Sequence, residues 1–480
     1  MKNNNIRFLF LKLLGAIYLI AFASLGVQIP GLIGSNGILP ASQFLEMLCA
    51  QMGYERYWFV PTLFWLNSSD VFLIFLCCVG MLLSVLLIFE FFQPVCLLFL
   101  WIFYLSFVNV SGDFFSFQWD NLLLEVGFLS IFYALCPSSK IVLWLLRLVL
   151  FKLMFFSGIV KLLSGDVAWK SFTALTYHYE TQPLPNLFSY YFHQFPNWFH
   201  SLSCKLMFAI ELIVPFFIFI KRRYRVFGSI ILIAFQLIIM VTGNYCFFNL
   251  LTILLCVLLL DDNSLLQKFT ESKKDPIKID PKKQKWITVP IASLILIITT
   301  MQFSIVFQIQ IDWPMPLKQL YSLVLPFRSV NTYGLFAVMT TSRSEIIIEG
   351  SNDLKNWFAY EFKYKPGDLK KFPCFVAPHQ PRLDWQMWFA ALGSYRNNQW
   401  FINFCVRLLQ GSKDVLKLIA YNPFSDSPPH YLRALIYDYK FTDMDTKHRT
   451  GNLWKRELKG LYFPVVTLKE DRLLPITLNN

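Results

Sequence analysis

Charge is what this 480-residue chain has least of: Asp, Glu, Lys and Arg make up 15% of it, against about 25% in a typical soluble protein. That shortage, beside 56% hydrophobic residues and 50 Phe, excludes a disordered chain and an ordinary soluble enzyme. Twenty glycines are far too few for a collagen-like chain. The ten cysteines contain no C-x-x-C pair, which removes a zinc ribbon and a thioredoxin-like redox motif. His-x-x-x-His is also missing, so no metal site is expected. There is no G-x-S-x-G elbow, P-loop or dinucleotide fingerprint, and the familiar nucleophile and phosphate chemistries have no anchor. A small-residue cleavage site is absent after the first apolar run, which therefore reads as a retained signal-anchor helix.

What charge exists is distributed unevenly. Residues 1–260 carry 14 Lys/Arg and 10 Asp/Glu, and residues 308–480 carry 22 and 15. One half is lipid-soluble and the other resembles a soluble domain, which defines an integral membrane protein. The net charge of +13 does not indicate nucleic acid. Seven lysines fall within 268–285 and four more cations at Lys221, Arg222, Arg223 and Arg225. Both groups flank apolar runs, where positive charge marks cytoplasmic loops.

Spanning helices need about 20 mainly apolar residues. Candidates are 6–27, 71–89, 92–110, 121–136, 141–163, 206–220, 226–242, 246–260 and 287–307. Threaded from a cytoplasmic N-terminus, they put Lys140, the 221–225 cluster and the 261–286 linker inside, as the positive-inside rule requires. The expected organisation is a helical membrane domain over 1–260, a basic cytoplasmic linker over 261–286, a last span over 287–307 and an extracytoplasmic domain over 308–480. Long outer loops cover 28–70 and 164–203. After 307 the pattern changes to β-type runs at 332–340, 345–349, 357–364, 431–440 and 461–468, interrupted by helical sequence at 384–420. The fold class is thus a polytopic α-helical membrane protein with about eight or nine spans, followed by a β-sandwich-like domain with inserted helices. Cys374 and Cys405 are the polar-half cysteines, and their spacing leaves a disulfide open.

Ionisable residues inside spans are expensive, about 2.5–3.5 kcal/mol each on insertion scales, and ask for a partner or a function. Span 141–163 holds Arg147, Lys152 and Lys161, with Glu125 and Glu211 as counter-charges in neighbouring spans. Arg147 and Lys161 lie near the ends, where snorkelling or structural pairing is expected. The polar stretch Tyr177–Asn186, with His193 and His200, reads as an interfacial loop whose His178 and Glu180 could assist a nearby lysine in acid–base work. In the second half, Ala377-Pro378-His379-Gln380-Pro381-Arg382-Leu383-Asp384-Trp385-Gln386-Met387-Trp388 combines aromatics with charge, as protein interfaces do. Asp384 equally suits a helix cap.

Several blocks resemble the lipase maturation factor family. They are Gln28–Pro40, Gln118–Glu125, Tyr177–Asn186 with His193-Gln194, Gly243-Asn244-Tyr245 with Phe247–Thr252, Val376–Tyr395, Asn422-Pro423-Phe424 and Tyr437–Thr442. Cys246 interrupts the fourth of these, where a small residue is expected. The resemblance implies a membrane-bound folding factor, in animals resident in the endoplasmic reticulum, that helps secreted lipases mature through its exported domain. His379, Arg382, Asp384, Trp385 and Trp388 are then the expected client contacts, with no cofactor and no catalysis. The Phe-, Lys-, Ile- and Asn-rich composition suggests a bacterial inner membrane with the domain in the periplasm; a eukaryotic chain would place it in the lumen. A shorter likeness, Lys161 with Gly165 and Trp169, is similar to the membrane domain of vitamin K-dependent γ-glutamyl carboxylases. It implies the alternative of an enzyme acting on a quinone or lipid, with Lys161 as base and His178 or Glu180 assisting.

Overall fold

In the computed structural model, residues 4–137, 139–260 and 280–476 are described. Among these described residues, seven helices are long and apolar enough to cross a membrane: Ile6–Gly26, Asp70–Ile88, Gln93–Val110, Lys140–Leu163, Asn197–Phe219, Arg222–Thr242 and Lys282–Val306. The other two expected spans are helices of a different kind. Gln118–Leu135 carries Asp120 and Glu125 and is buried along most of its length. Phe248–Val257 has 10 residues, which at 1.5 Å each cover about half of a 30 Å hydrocarbon layer. Most of the basic linker lies outside the described residues.

Burial separates the helices by role. Asp70–Ile88 and Arg222–Thr242 expose Val71, Leu82, Ile230 and Ile238, apolar side chains that suit a lipid-facing perimeter. Gln118–Leu135 and Lys140–Leu163 lie inside and carry the charged groups. The chain runs back and forth, so Lys140 and the Arg222–Arg225 turn share one end of the bundle. There Arg147 donates to the Leu258 carbonyl (2.8 Å) and Arg225 to that of Leu259 (3.2 Å).

The C-terminal domain caps the opposite end. Its strands are β1 (Arg343–Ser351), β2 (Phe358–Ala359), β3 (Glu361–Phe362), β4 (Ile419–Tyr421), β5 (Tyr431–Phe441), β6 (Trp454–Lys469) and β7 (Arg472–Pro475). Five form an antiparallel sheet in the order β2-β1-β5-β6-β7, and β3 pairs with β4. The layer over the large sheet is helical, not a second sheet of a sandwich. Tyr462 of β6 donates to the Ala390 carbonyl of helix Arg382–Ala391 (2.8 Å), and Phe401 of helix Gln399–Leu409 meets the Tyr462 and Phe463 rings.

The run 332–340 is not a strand, contrary to the β-type reading of its apolar residues. Membrane-half side chains satisfy its backbone: Gln118 accepts from Gly334 N (3.0 Å) and Asp166 from Met339 N (3.2 Å). Tyr333 donates to Glu125 (2.5 Å). The 28–70 loop is likewise structured, with helices Ile29–Ile33 and Ala41–Gln51. At Gly31 a Cβ would collide with the Asp414 carbonyl and Leu418, so glycine allows this loop to press on the C-terminal domain. Arg407 and Ser412 donate to the Gly37 and Asn36 carbonyls (both 2.8 Å). Cys374 and Cys405 are both free thiols, the first exposed and the second buried.

Candidate functional site

Two polar constellations stand out, one at the seam between the halves and one within the helices. At the seam, Asp120 sits in the first turn of Gln118–Leu135 and Arg382 in the first turn of Arg382–Ala391. Arg382 grips both carboxylate oxygens at 2.8 and 2.9 Å and also donates to the Phe114 carbonyl at 2.6 Å. Its guanidinium lies 3.4 Å from the centroid of the Phe115 ring, a stacked cation–π contact. Tyr104 donates to Asp120 at 2.5 Å. This is the bidentate, several-fold satisfied geometry that a buried ion pair needs.

The neighbouring residues extend the seam. Ser24 accepts from Gln380 N (2.9 Å) and bonds His379 Nδ1 (2.8 Å); Gln28 accepts from Arg382 N (2.9 Å). Trp385 packs edge-on against Trp119 at 4.8 Å. Trp388 donates to the Thr181 carbonyl at 2.8 Å. Asp384 does not cap its helix; it accepts from the backbone N–H groups of Tyr364 and Lys365. Burial pushes its pKa up, against the opposing pull of those two donors. Burial, then the charges of Lys363 and Arg382, holds the His379 imidazole down at about 4.

Arg382, Asp384, Trp385 and Trp388 are therefore buried, and His379 is largely covered. Their hydrogen bonds and ring contacts are made within the protein itself. Sequence reasoning missed three further ties. Asn244 accepts from Val376 N (2.8 Å) and donates to the Cys374 carbonyl (2.8 Å). Arg343 donates to the carbonyls of Glu180, Gln182 and Pro183. Lys365 joins Arg343 on Glu345. Asn244 lay within a quoted block and gave a signal; Arg343 followed a β-run and gave none.

Within the helices, Arg147, Lys152 and Lys161 of Lys140–Leu163 are buried and paired, the pairing alternative of the sequence reading. Lys152 pairs with Glu125 at 2.7 Å, and Glu125 accepts from Tyr333 and Asn331 as well. Lys161 donates to both oxygens of Glu211, at 2.8 and 2.7 Å. That pair borders a cavity of about 450 Å³, lined mainly by apolar residues together with His178, Tyr245, Gln236 and Asn249. His178 Nε2 lies 3.0 Å from the Tyr245 hydroxyl, and burial followed by the Lys161 charge keeps its pKa at about 4. Glu180 points elsewhere, accepting from Phe441 N at 2.6 Å beside His193. The structure thus brings Lys161 and His178 to one cavity and leaves Glu180 out. Among the described residues no His, Cys, Asp and Glu cluster suits a metal.

Helical membrane domain, capping β-rich domain and a seam of charged and aromatic ties define a polytopic membrane protein with a C-terminal domain fixed to its helices. Residues 5–267 match the family model of the lipase maturation factor transmembrane domain, and residues 329–464 that of the lipase maturation factor C-terminal domain. Lipase maturation factor 2 of Xenopus laevis is 36% identical over 97% of this chain and 82% of its own length. Lipase maturation factor 1 of Mus musculus and of Homo sapiens are each 34% identical over 97% of this chain, covering 87% and 88% of those proteins. No solved structure matches. The chain belongs to the lipase maturation factor family. The carboxylase likeness gains no support from these matches.

Proposed function

We propose that this chain is a membrane-bound folding and assembly factor for a secreted lipase or a related exported protein. The observation that carries the reading is the near-full-length likeness to proteins named lipase maturation factors, which runs through both halves. The seam adds a physical reason for both halves to travel together. A domain held to the bilayer by buried ties such as Asp120–Arg382 works at the membrane surface, where an exported client emerges with apolar surface still exposed. In this reading His379, Arg382, Asp384, Trp385 and Trp388 set the angle of the domain and do not touch the client.

The positive-inside rule supports a cytoplasmic end at Lys140 and Arg222–Arg225 and an extracytoplasmic C-terminal domain. Gln118–Leu135, and the short Phe248–Val257 together with its flanking residues, then complete nine passes. That side is the periplasm for a bacterial inner membrane, which the composition favours, or the lumen of the endoplasmic reticulum. The test is lipase activity per mass of secreted lipase, from cells with and without this chain. Constant lipase mass with activity per mass several-fold lower on deletion is the expected result. Unchanged specific activity would remove the lipase role.

A further inference from the structure

The cavity beside Lys161 has a mouth and a polar end, and the two differ in chemistry. At the mouth lie Leu206 and Ile238, which are exposed and belong to the membrane-crossing helices Asn197–Phe219 and Arg222–Thr242. An opening framed by exposed apolar residues of spans faces hydrocarbon, and its visitors come from the bilayer. The volume of about 450 Å³ falls within the range of small-molecule sites, about 300–1,000 Å³.

The polar end selects among lipids. Its ionised residues, Lys161 and Glu211, neutralise each other, and the facing His178 is uncharged at neutral pH. No net charge remains to hold a phosphate or carboxylate headgroup. Asn249, 98% buried and part of the cavity wall, gives its amide N–H to Gln236 (2.8 Å) and, among the described residues, has no donor to its Oδ1. A buried acceptor without a donor costs about 1–3 kcal/mol, and a ligand hydroxyl would satisfy it. We propose that this cavity binds a neutral, hydroxyl-bearing lipid drawn from the bilayer, of the diacylglycerol type. The assignment stands apart from the folding-factor reading, since it rests on the cavity alone.

The test uses the full chain in phosphatidylcholine nanodiscs containing trace diacylglycerol with a photoreactive acyl chain. A phosphatidylcholine carrying the same photoreactive chain serves as reference, and labelled residues are mapped by mass spectrometry. Diacylglycerol should label cavity residues at least about fivefold more than the reference, and unlabelled dioleoylglycerol should compete. Asn249→Leu should reduce labelling by about tenfold, the factor that corresponds to roughly 1.4 kcal/mol. Ile238→Trp, at a lipid-exposed position, should block the mouth and lower labelling without changing the melting temperature, which keeps the test open if Asn249→Leu unfolds. Equal labelling by the two lipids, or labelling indifferent to Ile238→Trp, would overturn the site. Competition by a hydroxyl-free quinone as strong as by dioleoylglycerol would overturn the hydroxyl assignment.

Discussion

Asp120–Arg382 and Glu211–Lys161 are both buried carboxylate–cation pairs with contacts of 2.7–2.9 Å, yet they sit in opposite surroundings. Around the first, Tyr104, the Phe114 carbonyl and the Phe115 ring fill the remaining directions. The second borders open volume, with the Trp169 ring 5.5 Å from the ammonium. A saturated pair wedged between two halves has nowhere to place a ligand and acts as a fastening. A pair that borders a cavity holds its charge balance at zero while leaving room for a guest. Desolvation has been met in both cases, but only the first spends all its hydrogen-bond capacity on the fold.

The sharpest way to break this contrast is at the seam. Arg382→Met leaves Asp120 buried without its cation, a change that costs about 3–5 kcal/mol in comparable sites. The full chain in detergent should unfold at a much lower temperature, and trypsin should release the C-terminal domain. Arg382→Lys should recover only part, since a point-like ammonium cannot serve two carboxylate oxygens and the Phe114 carbonyl at once. Wild-type unfolding of Arg382→Met would show that the halves are joined elsewhere.

The cavity pair should respond differently. Lys161→Met and Glu211→Leu each strand one charge, whereas the double variant strands none. The double should therefore be more stable than either single by about 2–3 kcal/mol, within the usual range of coupling between touching residues. At the seam the same cycle should retain a large cost, because Tyr104 and Phe114 lose a partner in the double as well. Equal cycles at the two sites would erase the distinction.

Much of the membrane half was legible because hydrocarbon thickness imposes length and apolarity on a span. The charges inside spans were legible as costly, and Glu125 and Glu211 as their counter-charges, for the same reason. What the chain could not disclose was which distant groups meet. Arg382 and Asp120 are 262 positions apart, and nothing local distinguishes an aromatic–charged segment turned inward from one displayed to a partner. The run 332–340 failed for a related cause: its apolar residues suit a strand, but Gln118 and Asp166 take backbone bonds a neighbouring strand would have made.

Acid should separate the two regions more gently. His178 at the cavity, His193 beside Glu180 and His379 at the seam all have pKa values lowered to about 4, chiefly by burial. A folded-state pKa below the unfolded value of about 6.5 gives stability that is complete above pH 6.5 and is lost as pH falls towards 4. Between pH 7 and 5 His178 should contribute a loss of roughly 2 kcal/mol. Glu180 and Asp384, whose pKa values burial raises, act in the opposite sense, so the histidine share is isolated by substitution. The melting temperature of His178→Gln should fall less between pH 7 and 5 than that of the wild type. A slope unchanged by this variant would mean that His178 is not held neutral.

The smallest effect lies between two neighbouring tryptophans of the seam. Trp388 gives its indole N–H to the Thr181 carbonyl, while the buried Trp385 indole nitrogen has no partner among the described residues and its ring packs on Trp119. Replacing each by Phe removes a similar amount of ring but different hydrogen-bond chemistry. Trp388→Phe loses a bond worth about 1 kcal/mol and strands an acceptor, whereas Trp385→Phe deletes an unsatisfied donor and offsets part of its packing loss. Thermal unfolding should therefore rank Trp388→Phe below Trp385→Phe in stability. The reverse order would show that ring contact with Trp119, and not the tie to Thr181, is what fastens this helix to the membrane half.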